Sequence, residues 1–508
     1  MMQPGSLVWF ARHELRLAWR DWAWLISGGR RRRLYWGAPG AIVIILLVHA
    51  LAYLALKPVA DFTAPPDRRT LIVIGGTLAL YGSIMLSQGM ENVTRAFYAR
   101  GDLDLILSSP AAATRLFAVR LGATAASILG MSLVLTAPVI DALAALGGAR
   151  WLAAYAVMAA LAVAAVAVSA IATTGLFAII GARRTRLVAQ VIAAIVGAGF
   201  VICMQFLAIL SVGSLSRLAV LRSEAAVSHA PAPGSLVWLP ADAAAGNWWA
   251  LAVVASIACL MLAGAIRFCA PRFAALAQAT AAIPDRRRRA RRNRSGFRPQ
   301  SPAQALRGKE WLLLRRDPWL ISQSLMQLLY LLPPFVLLWQ SFYGGHGTRL
   351  LVPVLIMAAG QLAGGLAWLA VSGEDAPDLV GSAPVTPARV WRAKTEAVAG
   401  VLVLSFGPAV AALAIIDPVP ALVAVIGIAV AAASATLIQF WFRAQARRSL
   451  FRRRHVSSRI ATFAEAFASI TWSGAGAVAL VDPRLAVLPG GAALAVLAAA
   501  WAISPARQ

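Results

Sequence analysis

The chain has 508 residues, of which 60% are hydrophobic and only 13% charged, and it carries a formal net charge of +27. A soluble protein must meet water with a polar shell, and this composition cannot supply one, which excludes an ordinary soluble fold. The positive charge is almost wholly arginine, the only lysines being Lys57, Lys309 and Lys394, and it clusters between long apolar runs, which excludes a nucleic-acid-binding role and makes membrane lipid headgroups the expected anionic partner.

In chain order, the first feature is Val8–Ile26. Val8, Ala11, Leu15, Trp19 and Trp22 recur at helical spacing beside a basic stripe of Arg12, Arg16 and Arg20, the pattern of an amphipathic helix lying in a membrane interface. The first forty residues hold no uninterrupted apolar core ahead of Arg30–Arg33. No cleavable signal peptide is therefore expected, and the first span serves as its own insertion signal.

Apolar runs of roughly 18 or more residues then recur, long enough to cross a bilayer as helices that satisfy their own backbone hydrogen bonds. Six are expected in the first half: Ala41–Leu56, Leu71–Ser87, Leu121–Ala145, Trp151–Ile180, Leu187–Val212 and Trp248–Phe268. Six more are expected in the second: Leu320–Gln340, Leu351–Ser372, Glu396–Ile416, Ala421–Phe442, Ala461–Val481 and Leu485–Ile503. The fold class is thus all-α, a polytopic integral membrane protein of about 12 transmembrane helices. Cys203, Cys259 and Cys269 lie in or beside these runs without metal-ligand spacing and read as small buried hydrophobes.

With the N-terminus inside, roughly 39 of the Arg and Lys residues fall on the cytoplasmic side and about 8 outside, as the positive-inside rule requires. The richest segments, Arg30–Arg33, Arg286–Arg298 and Arg443–Arg459, share that side. The expected location is the bacterial plasma (inner) membrane, multi-pass, with N- and C-termini cytoplasmic.

The chain also repeats itself. Glu14, Arg20 and Asp21 ahead of the first span align without a gap on Glu310, Arg316 and Asp317 ahead of the seventh. In the loop after the second span of each half, Asp104-Leu105-Ile106-Leu107-Ser108-Ser109-Pro110 aligns with Asp378-Leu379-Val380-Gly381-Ser382-Ala383-Pro384. Continuing ungapped, Arg115 falls on Arg389, Phe117 on Trp391 and Arg120 on Lys394. Matches in polar loops, in the same order, are not forced by composition. They divide the chain into residues 1–270, a first six-span half; 271–305, a basic cytoplasmic linker; and 306–508, a second six-span half. An even number of spans per half makes the two repeats parallel.

The loop motif places an acidic residue, apolar residues, a proline at a helix start and two later basic residues in the cytoplasm. That geometry suits docking of a soluble partner, with Asp104, Arg115 and Arg120 exposed and with Leu105 and Phe117 as apolar anchors. Leu103-Asp104-Leu105-Ile106-Leu107-Ser108-Ser109-Pro110 followed by Arg115 and Arg120 resembles the first cytoplasmic loop of ABC-2 type exporter permeases, and the interfacial helix ahead of the first span is a further shared feature. The resemblance implies two fused permease halves whose loops dock on a separate ATP-binding cassette subunit, present in two copies. Asp378, Leu379, Pro384, Arg389, Trp391 and Lys394 would form the second coupling loop. That copy departs from the first: Pro387 interrupts the stretch, Gly381 replaces a leucine and Ala376 stands at the position of Asp102, so equal coupling by both halves is not implied.

Lys309 follows Gly308 but precedes Glu310, so the chain has no phosphate-binding loop. It is expected to be no enzyme and to hold no cofactor of its own, with ATP and Mg on the partner subunit. Among polar residues within or at the edges of the spans, His49 is expected to lack a matching carboxylate. Asp141 is expected to snorkel to the interface, and Glu465 to pair with Arg459. Gly360-x-x-x-Gly364 allows close helix packing. The competing functions are a gradient-driven secondary transporter with two six-helix halves and a non-transporting membrane scaffold.

Overall fold

The computed structural model describes residues 8–17, 45–46, 48–57, 66–98, 113–212, 224–281, 301–316, 348–372, 382–442 and 459–504, with single positions between them. Regular structure among the described residues is entirely helical. Eight of these helices are long and apolar enough to cross a membrane: Arg68–Phe97, Thr114–Gly147, Ala149–Gly181, Arg184–Met204, Trp248–Phe273, Leu351–Val371, Pro387–Ile416 and Pro418–Phe442. The chain is a polytopic helical membrane protein. The eight correspond to the expected second to sixth and eighth to tenth spans. Most of Leu320–Gln340 and part of Ala41–Leu56 lie outside the described residues, and Val487–Ile503 is a shorter apolar helix.

The polypeptide divides into two compact units, Met1–Pro284 and Asp285–Gln508. The first contains α1 (residues 8–17), α2 (residues 48–56), α3 (Arg68–Tyr98), α4 (Ala113–Gly147), α5 (Ala153–Val212), α6 (Glu224–His229), α7 (Leu239–Ala244) and α8 (Trp248–Ala281). Asp67 starts α3 by accepting the Thr70 backbone N–H at 2.8 Å, the standard N-cap arrangement. Hydrogen bonds from Thr70 hold the Asp67 carboxyl below the usual aspartate range. Asn247 caps α8 in the same way through the Trp249 and Ala250 N–H groups, at 3.1 and 3.2 Å.

Two glycines set the path between spans. Gly148, at φ 90°, breaks the apolar stretch between α4 and α5, so the closely spaced third and fourth expected spans are separate helices. Gly181, at φ 72°, breaks α5 internally, so two spans follow each other with no intervening loop. Left-handed backbone of this kind is nearly free for glycine and strained for any residue with a Cβ. α5 forms the centre of the unit, packed by α3, α4 and α8. Ser87 and Gly89 on α3 meet Gly197 and Ser169 on α5, so small residues face each other and the backbones approach closely.

The second unit contains α9 (Pro302–Arg316), α10 (Thr348–Ser372), α11 (Pro387–Ile416), α12 (Pro418–Phe442), α13 (Arg459–Ala479) and α14 (Val487–Ile503). Here α10 is central: Leu351, Val352, Leu355, Ile356, Ala359 and Ala363 are fully buried, on helical spacing that presents apolar atoms to α11, α12 and α13 alike. Ile356 projects into space left by Gly427 on α12 and Gly476 on α13. The weak Gly360-x-x-x-Gly364 signal marks a real close approach. Ser469 and Glu465 of α13 occupy the positions that Cβ atoms on those glycines would need.

Candidate functional site

The residues aligned in the two loops sit where α3 gives way to α4 and α10 to α11. The flanking helix ends correspond: Tyr98 and Ser372, like Ala113 and Pro387, stand as far apart in sequence as Asp104 and Asp378. Asp104, Leu105, Ser109, Pro110, Asp378 and Leu379 lie outside the described residues, as do Arg20, Asp21, Asp317 and the side chain of Arg316. What the structure describes is the helical frame on which the loops are mounted.

In the second unit that frame is held by a buried ion pair. Lys394, two turns into α11, extends its Nζ to Glu310 Oε1 of α9 at 3.1 Å, with side-chain exposures of only 6% and 1%. The same ammonium donates to the Ala370 carbonyl near the end of α10 at 2.5 Å. Lys309 Nζ lies 3.3 Å from the same carboxylate oxygen. Glu310 Oε2 is buried with no hydrogen-bond partner among the described residues. Three elements, the helix ahead of the seventh expected span and both helices flanking the loop, therefore meet on one ammonium–carboxylate pair.

Around this pair lies an exposed network. Glu396 of α11 accepts from the Arg307 guanidinium through both oxygens, the Nη2 bond being 3.0 Å, and from Arg392 Nε at 2.9 Å. The hydrogen bond to Glu396 raises the Arg307 pKa further above its ordinary value. Trp311 of α9 packs against Gly400, and Trp391 rests on Phe440 of α12 with ring centroids 4.6 Å apart. Arg389 and Pro384 are exposed.

In the first unit the corresponding frame is held by apolar packing. Phe97 at the end of α3 has ring centroids 6.0 Å from Phe117 (α4), 5.2 Å from Phe177 (α5) and 5.2 Å from Phe273 (α8). Phe117 and Phe273 are 4.9 Å apart. Such tilted ring pairs add to area burial about 0.5–1.5 kcal/mol each. Phe10 of α1 belongs to the same buried cluster, while Val8, Trp9 and Leu15 point away from the protein. Glu14, one turn after Phe10, is half-buried, as is Arg120; Arg115 is exposed.

This geometry places two of the expected loop residues inside their units. Phe117 is buried rather than presented as an anchor, because α4 enters the aromatic core within its first turns. Lys394 is likewise enclosed, its charge consumed by Glu310. Among the described residues, Arg115 and Arg389 are the basic members of the aligned motifs that remain exposed.

Two further polar groupings lie within the helices. His49 and Asp141, expected to be unrelated, are joined: His49 Nε2 lies 3.1 Å from Asp141 Oδ2. Tyr155 OH donates to Asp141 Oδ1 at 2.7 Å. This corrects the reading of His49 as lacking a carboxylate and of Asp141 as merely reaching for the interface. Residues 92 positions apart in sequence meet only because α4 packs on the first span. Glu465, whose expected partner Arg459 has its side chain outside the described residues, accepts from Gln439 Nε2 of α12 at 2.6 Å.

Phe10, Phe97, Phe273, Tyr155 and Gln439 were not legible as site residues. Phe10 stands one helical turn before Glu14, a spacing that carried some signal; the others had none. Among the described residues, no three His, Cys, Asp or Glu side chains converge as metal ligands. Comparison with protein-family models, curated proteins and solved structures returns no match.

Proposed function

We propose that this chain is the membrane-spanning permease component of an ABC-type exporter, with ATP hydrolysed by a separate cassette subunit. The observation that carries the reading is the frame around the two aligned loops. In the second unit the helix ahead of the first expected span of that half is locked by Glu310 and Lys394 to the helix that leaves the loop. In the first unit Phe10 packs in one cluster with Phe117. A push delivered to a loop so mounted passes into an interfacial helix and a span together, since packed interfaces transmit displacement as rigid pieces. Arg115 and Arg389 sit exposed at equivalent places beside the loops. On this reading the loops face the cytoplasm of a bacterial inner membrane, and two cassette subunits bind one chain.

A second reading, a gradient-driven secondary transporter, draws support from the protonatable pair His49–Asp141 in the membrane portion. Purification of the tagged chain from its native membrane in mild detergent separates the two. A stoichiometric ATP-binding subunit, lost when Arg115→Glu and Arg389→Glu are combined while chain abundance holds, is the expected result. A chain that purifies alone, and whose transport in vesicles follows a proton gradient without ATP, overturns the permease reading.

A further inference from the structure

α2 lies lightly on the first unit. His49, Ala52 and Leu56, at i, i+3 and i+7, are half-buried, whereas Ile45, Leu46, Val48, Leu51 and Leu54 are exposed. Among the described residues of this span, a stripe of three is a narrow attachment, and its polar link is the contact of His49 with Asp141.

The chemistry of that contact decides its proton content. His49 Nδ1 lies 2.7 Å from the Ile45 carbonyl. A carbonyl only accepts, so this contact assigns a hydrogen to Nδ1. In the neutral ring Nε2 is then a bare acceptor, and it faces Asp141 Oδ2, which is also an acceptor when ionised. Two acceptors do not hold at 3.1 Å. One additional proton must reside between them, either on the imidazole facing a carboxylate or on the carboxyl facing a neutral ring. Tyr155 OH, by donating to Oδ1, leaves Oδ2 as the oxygen that takes part.

We propose that His49 and Asp141 form a one-proton binding site that docks the first span onto α4 and α5, and that release of the proton undocks it. The ligand is the proton itself. When it leaves, the lone pairs of Nε2 and Oδ2 face each other, and among the described residues the narrow apolar stripe is what remains to hold α2. Among the described residues, the other titratable groups on the elements around this pair are Tyr53 and Lys57 on α2, Arg150 between α4 and α5, Asp67 ahead of α3, Arg68 and Arg69 in its first turn, Glu224 and His229 on α6, and Asp242 on α7. Arg69 pairs with Glu224 and Arg68 donates to the Val227 carbonyl. Burial pushes the Asp242 carboxyl up from its ordinary range. None of them supplies the missing proton at Nε2, because the geometry fixes Asp141 as its partner.

The test is hydrogen–deuterium exchange of residues 45–57 in the full chain reconstituted in lipid nanodiscs, expressed as protection factors between about pH 5 and about pH 9, a range that brackets ordinary histidine titration. Wild-type protection is expected to fall about tenfold or more as pH rises, as a lost charge-assisted hydrogen bond would cause. His49→Gln places against Asp141 Oδ2 an amide N–H that does not titrate. It is expected to keep high protection across the range. Asp141→Ala removes the partner and is expected to show low protection throughout. Wild-type protection that stays flat with pH overturns the proposal, as does His49→Gln following the wild-type course. Asp141→Ala protected as well as the wild type at low pH also overturns it. These outcomes do not depend on whether a cassette subunit is bound, so they stand apart from the permease reading.

Discussion

Replacing Lys394 by methionine removes an ammonium from the second unit while keeping the side chain's length and most of its volume. The consequence follows from what is left behind. Glu310 is 1% exposed and retains as a cationic neighbour, among the described residues, Lys309 Nζ at 3.3 Å, with a side chain 29% exposed. Breaking a buried ion pair from one side costs about 3–5 kcal/mol, most of it the penalty for stranding the remaining charge. Because Lys309 compensates in part, about 3 kcal/mol is expected for Lys394→Met. The double replacement Lys394→Met with Glu310→Leu strands no charge and is expected to fall within about 1–2 kcal/mol of the wild type. Reversible denaturation of the purified chain in mixed micelles, run as a double-mutant cycle, measures all three. A loss below about 1 kcal/mol for Lys394→Met would mean that water reaches the pair. A double variant as unstable as the single one would mean that shape, not charge, holds α9 to α11. Either result refutes the argument that one buried pair fastens the interfacial helix to the loop.

The aromatic cluster of the first unit gives a parallel expectation: Phe117→Ala should cost about 3–5 kcal/mol by cavity formation, read in the same denaturation experiment, whereas Arg115→Ala, exposed, should cost under about 0.5 kcal/mol. Gly364→Ala puts a methyl group where the Glu465 carboxyl lies and should destabilise by about 1–3 kcal/mol through overpacking of α10 on α13; unchanged thermal stability in detergent would show that Glu465 moves aside freely. Asp67→Ala removes the cap of α3 and should cost about 1 kcal/mol. Since hydrogen bonds from Thr70 lower the Asp67 pKa in the folded chain, the wild type's advantage over this variant should be full above the ordinary aspartate range and shrink as pH falls through the folded value. An advantage that grows with acid would contradict the capping geometry.

Long apolar runs determined the membrane-spanning, all-helical class, because hydrocarbon admits only backbones that bond to themselves and length alone reveals them. The sequence also marked positions by recurrence: Glu310 and Lys394 were singled out as repeated residues, although nothing in the pattern said that they touch. Their pairing depends on α9 lying across the ends of α10 and α11, and no local rule encodes that crossing. The same holds for Phe117, whose motif suggested exposure and whose helix instead starts inside the aromatic cluster. Local spacing identified Gly360 and Gly364 as a close-packing face but not Glu465 and Ser469 as the residues that fill it. His49 and Asp141 each read as isolated polar residues in apolar surroundings. Only the packing of the first span against α4 and α5 makes them one hydrogen-bonded group with Tyr155. Periodicity and composition are properties of neighbouring residues, so the sequence determines which segments cross the membrane; ion pairs, ring contacts and a shared proton are properties of distant residues, so they exist only once the helices have packed.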